Sequence, residues 1–401
     1  MDATVKQIGA VVVGELRAAG YLDSTIGQYE KTIKALTGFV EERGGVYTPG
    51  LGAAFASRTV SPRTGRFSAQ RRLDYRRLVA VVDGYLETGR VDLSIRRRGG
   101  GGRRPVSGEF TALSLAWEAD MDRRGLAAAT RDAYGRVARG YLVFLEARGT
   151  DTLAGADGAG VLAFLESLTD RWAARSLFWV VSNFRPFLTF TGRSDLVEAA
   201  GLAGVRRSHA ILPVLSDGDQ ARVVHACASG MVGARDAAIT LLALTTGLRA
   251  CDLVGLRLVD IDWRAQTLGI VQQKTHHPLT LPLPALVTAK LADYLLHDRP
   301  ASGDDHVFLR VKAPHTRLTG HASVYRVIAE VFRVAGFVEV KVGTRVLRHN
   351  AASRLLRAAV PLPTISAVLG HADPESTNLY LSIDQARLLE CVLPVPRGAR
   401  R

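Results

Sequence analysis

Apolar positions return every three to four residues along most of this chain, so helices dominate the expected architecture. In the N-terminal half, aromatic and aliphatic residues keep that spacing after Ser24-Thr25 and again after Thr130, and the hydroxyl residues are read as helix caps. Later stretches, 69–87 and 173–189, carry the same period. In the C-terminal half, Ser216-Asp217 is expected to open a helix, and 235–246 forms an apolar helix stopped by Gly247. Further helices are predicted over 284–297, 321–335, 344–359 and 364–369, the last ended by Gly370. Only 267–271 and 279–283 alternate in the manner of strands, joined through 274–278. The fold class is therefore mainly α, with one small antiparallel β-sheet in the second half.

A repeat organises the first half. Gly20, Thr25, Tyr29, Phe39, Glu41, Arg43 and Gly44 recur as Gly125, Thr130, Tyr134, Phe144, Glu146, Arg148 and Gly149, all at an offset of 105. The ends of the two units match at an offset of 103, where Thr88-Gly-Arg and Thr191-Gly-Arg correspond. A duplicated helical module explains this register, and its aromatic residues are expected to be core packing first. The domain plan is then a module over 1–95, a linker over 96–106, a second module over 107–204 and a linker over 205–212. A C-terminal domain over 213–385 and a tail over 386–401 complete it.

Charge points to the partner. The formal net charge is +14 over 401 residues, and arginine supplies most of it, so a polyanion is expected, with a generally solvated basic surface as the alternative. The linker concentrates the effect: Arg96, Arg97, Arg98, Arg103 and Arg104 flank four glycines, a flexible tether suited to phosphate contact. Cys227, Cys251 and Cys391 show no metal-binding spacing and fit buried thiols in a reducing compartment. Met1 to Leu16 lacks the pattern of a signal peptide, and no apolar run is long enough to cross a bilayer. A soluble cytoplasmic protein, associated with the nucleoid and without membrane contact, is the expectation.

The C-terminal half carries the chemistry. Tyr380 offers a nucleophile whose pKa near 10 makes it weak until its proton is removed and the target's charge is neutralised. Arg249, directly after Gly247, and Arg345 with Arg348, three apart on one helix, offer guanidiniums that fit phosphate oxygens. Lys274 can donate a proton to a departing alkoxide. His371 is placed in a turn after Gly370, with Tyr380 on the next short helix. The ordered set suits attack on a phosphodiester with neither metal nor cofactor.

The same residues carry a family resemblance. Thr246-Gly-Leu-Arg249, Asp252-Leu-Val-Gly-Leu-Arg257, Asp260-Ile-Asp262, Lys274-Thr275, Leu347-Arg348-His349, Leu369-Gly-His371 and Thr377 with Tyr380 resemble the catalytic domain of the tyrosine recombinase (phage integrase) family. That resemblance implies tandem helical DNA-binding modules followed by a catalytic domain. It implies a site-specific recombinase that cuts and rejoins double-stranded DNA through a 3′-phosphotyrosine, without metal or ATP. It casts Arg249 and Arg348 as phosphate-binding arginines, Lys274 as general acid, His371 as a phosphate hydrogen-bonder and Tyr380 as nucleophile. The partners implied are duplex DNA and, on DNA, a homotetramer of a chain that is monomeric when free.

One position departs from the family pattern. Where the family usually has histidine, three before the second arginine, this chain has Arg345, which holds phosphate but is a poor proton acceptor. His349 lies about 100 degrees around the helix from Arg348, and a packing or capping role is expected for it. Asp252 is expected to make a structural contact beside the site. Two alternatives remain at this stage: a type IB topoisomerase, and a non-catalytic DNA-binding protein on a recombinase scaffold.

Overall fold

The computed structural model of the chain describes residues 4–62, 64–93, 103–170, 172–202, 214–337 and 343–370. The described residues form two compact units, one made of those up to 93 together with those from 214 to 370, and the other of those from 103 to 202.

The N-terminal segment of the first unit is four helices: α1 (Val5–Ala18), α2 (Asp23–Glu41), α3 (Pro49–Ser57) and α4 (Ala69–Thr88). Their inward residues, among them Ile8, Leu16, Leu36, Phe55 and Leu78, form one apolar core. The second unit contains α5 (Gly108–Arg123), α6 (Ala128–Glu146), α7 (Gly158–Ser167), α8 (Ala174–Phe190) and α9 (Ser194–Leu202). It is built around Phe110, Trp117, Tyr141, Phe184 and Phe187. Tyr29 and Phe39 are buried core residues, and Tyr134 and Phe144 pack against the core of their own unit. Helices α2 and α6 are both 19 residues long and begin 105 residues apart, the offset of the sequence repeat.

The expected caps are not used. Leu22 and Ala127, both extended and without side-chain cap bonds, stand at the starts of α2 and α6, while Ser24-Thr25 and Thr130 lie within the first turns. The end of the preceding helix sets each start. Gly20 (φ 74°) and Gly125 (φ 64°) occupy the left-handed region after α1 and α5. The amides that follow bond back across six residues, Tyr21 N–H to Leu16 C=O at 3.0 Å and Leu126 N–H to Met121 C=O at 3.1 Å. This paired closure satisfies the last carbonyls of one helix and aims the chain into the next. The glycine of the repeat is thereby explained.

The remaining part of the first unit surrounds α11 (Ala234–Thr246), which is buried on nearly every side. Helices α10 (Asp217–Ala228), α13 (Ala285–Asp293), α14 (His321–Val334) and α15 (Thr344–Arg357) pack against it. Two short helices, α12 (Ala250–Gly255) and α16 (Leu362–Leu369), complete the set. Ser216 caps α10 through a bond from Asp219 N–H, as its sequence leads one to expect. The helix expected over 284–297 changes to a π turn at Tyr294–Asp298. The sheet has three strands rather than two: β1 (Ile261–Asp262), β2 (Thr267–Val271) and β3 (Pro278–Pro282), antiparallel in that order. Leu268 pairs with Leu281, and both face the core. Among the described residues, no helix is long and apolar enough to cross a membrane.

Candidate active site

Three chain reversals bring the site together. Helix α11 ends at Gly247 (φ 65°), where a Cβ would lie 3.0 Å from Leu369 and 3.1 Å from Ala351. Glycine is required there both by backbone conformation and by the close approach of α15 and α16. The turn delivers Arg249, half-buried, at the start of α12. Helix α16 ends in the same way at Gly370 (φ 62°). The third reversal is the β2–β3 hairpin, held by Gln272 N–H to His277 C=O at 3.0 Å and His276 N–H to Gln272 C=O at 2.8 Å.

Two guanidiniums converge on the C-terminal end of α16. Arg249 donates to the Gly370 carbonyl at 2.7 Å, and Arg348 donates to the Leu369 carbonyl and to the Gly247 carbonyl, the latter at 3.0 Å. Helix C-terminal carbonyls lack intrahelical partners and carry partial negative charge, so cations are favoured there. These acceptors are neutral, so the bonds orient the positive charges without cancelling them.

Gln272 is the hub, and sequence reasoning missed it. Its buried amide accepts from Arg249 at 3.1 Å and from the Thr275 hydroxyl at 2.7 Å, while its nitrogen donates to the Leu369 carbonyl at 3.3 Å. One side chain therefore links the hairpin, Arg249 and the end of α16. The one local hint is a polar pair, Gln272-Gln273, closing a strand with an apolar inner face. Asp252 fixes the neighbouring residue: its buried carboxylate accepts from Gln273 N–H at 2.9 Å, tying α12 to the hairpin. That is the structural contact expected of it. Lys274 follows in the turn and is exposed.

Arg345 takes no part in the hydrogen bonds just described. It is exposed and points its Nε at His349 Nε2, 3.4 Å away and one helical turn on. His349 itself is buried, in keeping with a packing role. His371 and Tyr380, the tail over 386–401 and linker residues Arg96, Arg97 and Arg98 lie outside the described residues. Arg103 and Arg104 are described and exposed.

His349 gives a measurable pH signature. Burial first, then the Arg345 and Arg348 guanidiniums, pushes its pKa down to about 4. An unfolded chain takes up that proton near pH 6.5, so the folded state loses relative stability as pH falls from 6.5 towards 4. The loss should reach at most about 3 kcal/mol, a size set by the depressed pKa. Urea midpoints at pH 7 and 4.5 should show it, and His349→Leu should remove this component. Parallel losses in parent and variant would contradict the assignment.

These helices around a small sheet, with paired arginines at two glycine-stopped helix ends, define a class of protein that comparison identifies. Residues 214–387 match the model of the phage integrase family. The integrase/recombinase y4rA of Sinorhizobium fredii is 31% identical over 285 residues, spanning 70% of this chain and 69% of its own length. A tyrosine recombinase XerC of Chromohalobacter salexigens is 33% identical over 280 residues, spanning 68% of this chain and 92% of its own. Among solved structures, the XerH recombinase bound to a palindromic difH substrate in a post-cleavage complex has a TM-score of 0.57 at 16% identity, covering 77% of this chain and 92% of that one. A lambda integrase dimer bound to a COC′ core site has a TM-score of 0.51 at 17% identity, covering 66% of this chain and 95% of that one. The solved structures share the fold. The chain belongs to the phage integrase, or tyrosine recombinase, family.

Proposed function

We propose that this chain is a site-specific recombinase that breaks and rejoins duplex DNA through a covalent tyrosine intermediate. The observation that carries this reading is the convergence of Arg249 and Arg348 on the successive carbonyls of Leu369 and Gly370, directly before His371, in a chain of this family. The planar donor fork of a guanidinium matches the non-bridging oxygens of a scissile phosphate. Electrostatic stabilisation of the pentacoordinate transition state then needs no reorganisation.

In this reading the Tyr380 phenol loses its proton to solvent and attacks the phosphorus, a 3′-phosphotyrosine forms, and the 5′-oxygen leaves with a proton from Lys274. His371 hydrogen-bonds the phosphate. Arg345 adds positive charge at the edge of the site, and as a guanidinium it does not take the tyrosine's proton. The link conserves the ester energy, so the free 5′-hydroxyl of a second strand can reverse the step without ATP.

The similar recombinases include a lambda integrase tetramer on a Holliday junction and a Tn1549 transposon integrase with transposon right end DNA. We infer a multimer on duplex DNA here too, a tetramer for exchange between two sites. Exposed Arg103 and Arg104, with the rest of the linker, would contact the DNA backbone. The two helical modules and the catalytic domain would clamp the duplex, inside the cell and at the nucleoid.

Exchange between two duplexes tests this directly. Two labelled duplexes that carry the chain's own site should exchange ends in chelator and without nucleotide. Relaxation of supercoils with no exchange would favour a topoisomerase, and neither activity would leave a DNA-binding scaffold.

A further inference from the structure

The N-terminal module carries a groove, lined in part by polar side chains, that the proposed strand cleavage does not use. It lies between α2 and α4 and has two lobes of about 270 and 340 Å³, both lined by Gln28, Gln70 and Asp74. Asp74 is only 8% exposed, yet it sits on a helix face that opens to the groove. Its two oxygens are shared out: Gln70 Nε2 donates to Oδ1 and Gln28 Nε2 to Oδ2, each at 2.9 Å. A carboxylate only accepts, so each amide must turn its nitrogen towards Asp74.

This arrangement fixes what the amides can offer. Each exposed glutamine spends one N–H on Asp74 and retains a second N–H and its carbonyl oxygen. That donor–acceptor pair complements N6–H and N7 on the major-groove edge of adenine. Lys31 and Arg71 line one lobe and Arg77 lines the other, where they can meet phosphates on either side. A chance polar surface would leave glutamine rotamers free. Here a buried carboxylate holds two of them in one groove.

The second module lacks the device. At the offsets of the repeat, Gln28, Gln70 and Asp74 correspond to Ala133, Ala173 and Leu177. The triad therefore belongs to the first copy and not to the shared scaffold.

We propose that the α2–α4 groove reads duplex DNA, with Gln28 and Gln70 each recognising an adenine edge and Lys31, Arg71 and Arg77 gripping the flanking backbone. The proposal rests on the reading of this chain as a DNA recombinase and extends it to a sequence-reading surface outside the catalytic domain.

Selection from a pool of randomised duplexes by the full-length chain tests it. The parent should enrich adenine at two fixed positions. Gln28→Ala/Gln70→Ala/Asp74→Leu, which installs the residue types of the second module, should flatten both positions by roughly tenfold each. Gln28→Arg keeps a partner for Asp74 and should switch one position from adenine to guanine, a gain that misfolding cannot mimic. Lys31→Ala/Arg77→Ala should weaken all sequences alike and reduce the salt dependence of binding. Identical selected sequences from parent, triple variant and Gln28→Arg would overturn the groove proposal while leaving the recombinase reading intact. Failure of the parent to retain any duplex would overturn both.

Discussion

Arg348→Ala should slow single-turnover strand cleavage by roughly 10³-fold or more, the scale seen when a charge-stabilising donor or arginine is removed from a transition state. The side chain has two duties. In the proposed mechanism it supplies charge to the phosphoryl group, and in the structure it ties the ends of α11 and α16 together through the Gly247 and Leu369 carbonyls. Arg348→Lys should not restore the rate, because an ammonium lacks the planar fork that reaches both carbonyls and phosphate at once. A loss below tenfold, in a variant that melts like the parent, would mean that the phosphate is held elsewhere.

Gly370→Ala should act on the same chemistry from a distance. An added Cβ would lie 1.7 Å from Gln272 Oε1, and the left-handed φ of 62° adds strain of about 1 kcal/mol or more for any residue with a side chain. Gln272 would have to leave its place, releasing Arg249, Thr275 and the Leu369 carbonyl together. Cleavage should fall by about 100-fold, the cost of an ångström-scale misplacement of a reacting group, with stability lower by about 2 kcal/mol. Adding Gln272→Ala removes the clash, so stability should partly recover while cleavage does not. Parental activity in Gly370→Ala would show that the amide hub does not position Arg249.

What the sequence revealed follows from how local each signal is. The stops at Gly247 and Gly370 were readable because left-handed glycines are local features with their own residue preference. The repeat placed α2 and α6 at one offset for the same reason: helical period and its terminating glycines lie within about 25 residues. The starts of those helices were misread because Ser and Thr suggest caps, whereas the closure of the preceding helix decided the entry point. Gln272 was invisible because its amide reaches Leu369, 97 residues along the chain, and a side chain at the start of another helix, Arg249. The two-residue strand β1 is too short to show a period. The contact of Arg345 with His349 had the four-residue spacing of a helical pair, and their proximity followed from that spacing alone.

Arg345 also sharpens what is expected of Tyr380. In the proposed mechanism the guanidinium of Arg345, which donates to His349, supplies charge but does not take the phenol's proton. A phenol must in that mechanism lose its proton before it attacks, so cleavage should accelerate as pH rises above neutrality.

The central claim is that this cluster serves a covalent attack by Tyr380. A nicked duplex that sheds its short 5′-hydroxyl fragment after cleavage traps such an intermediate, because religation loses its partner. Full-length protein should become linked to the 3′-phosphate end, with the added mass on the peptide that contains Tyr380, and Tyr380→Phe should give no adduct. A covalent adduct that persists in Tyr380→Phe, or one mapped to another residue in the parent, would contradict the account.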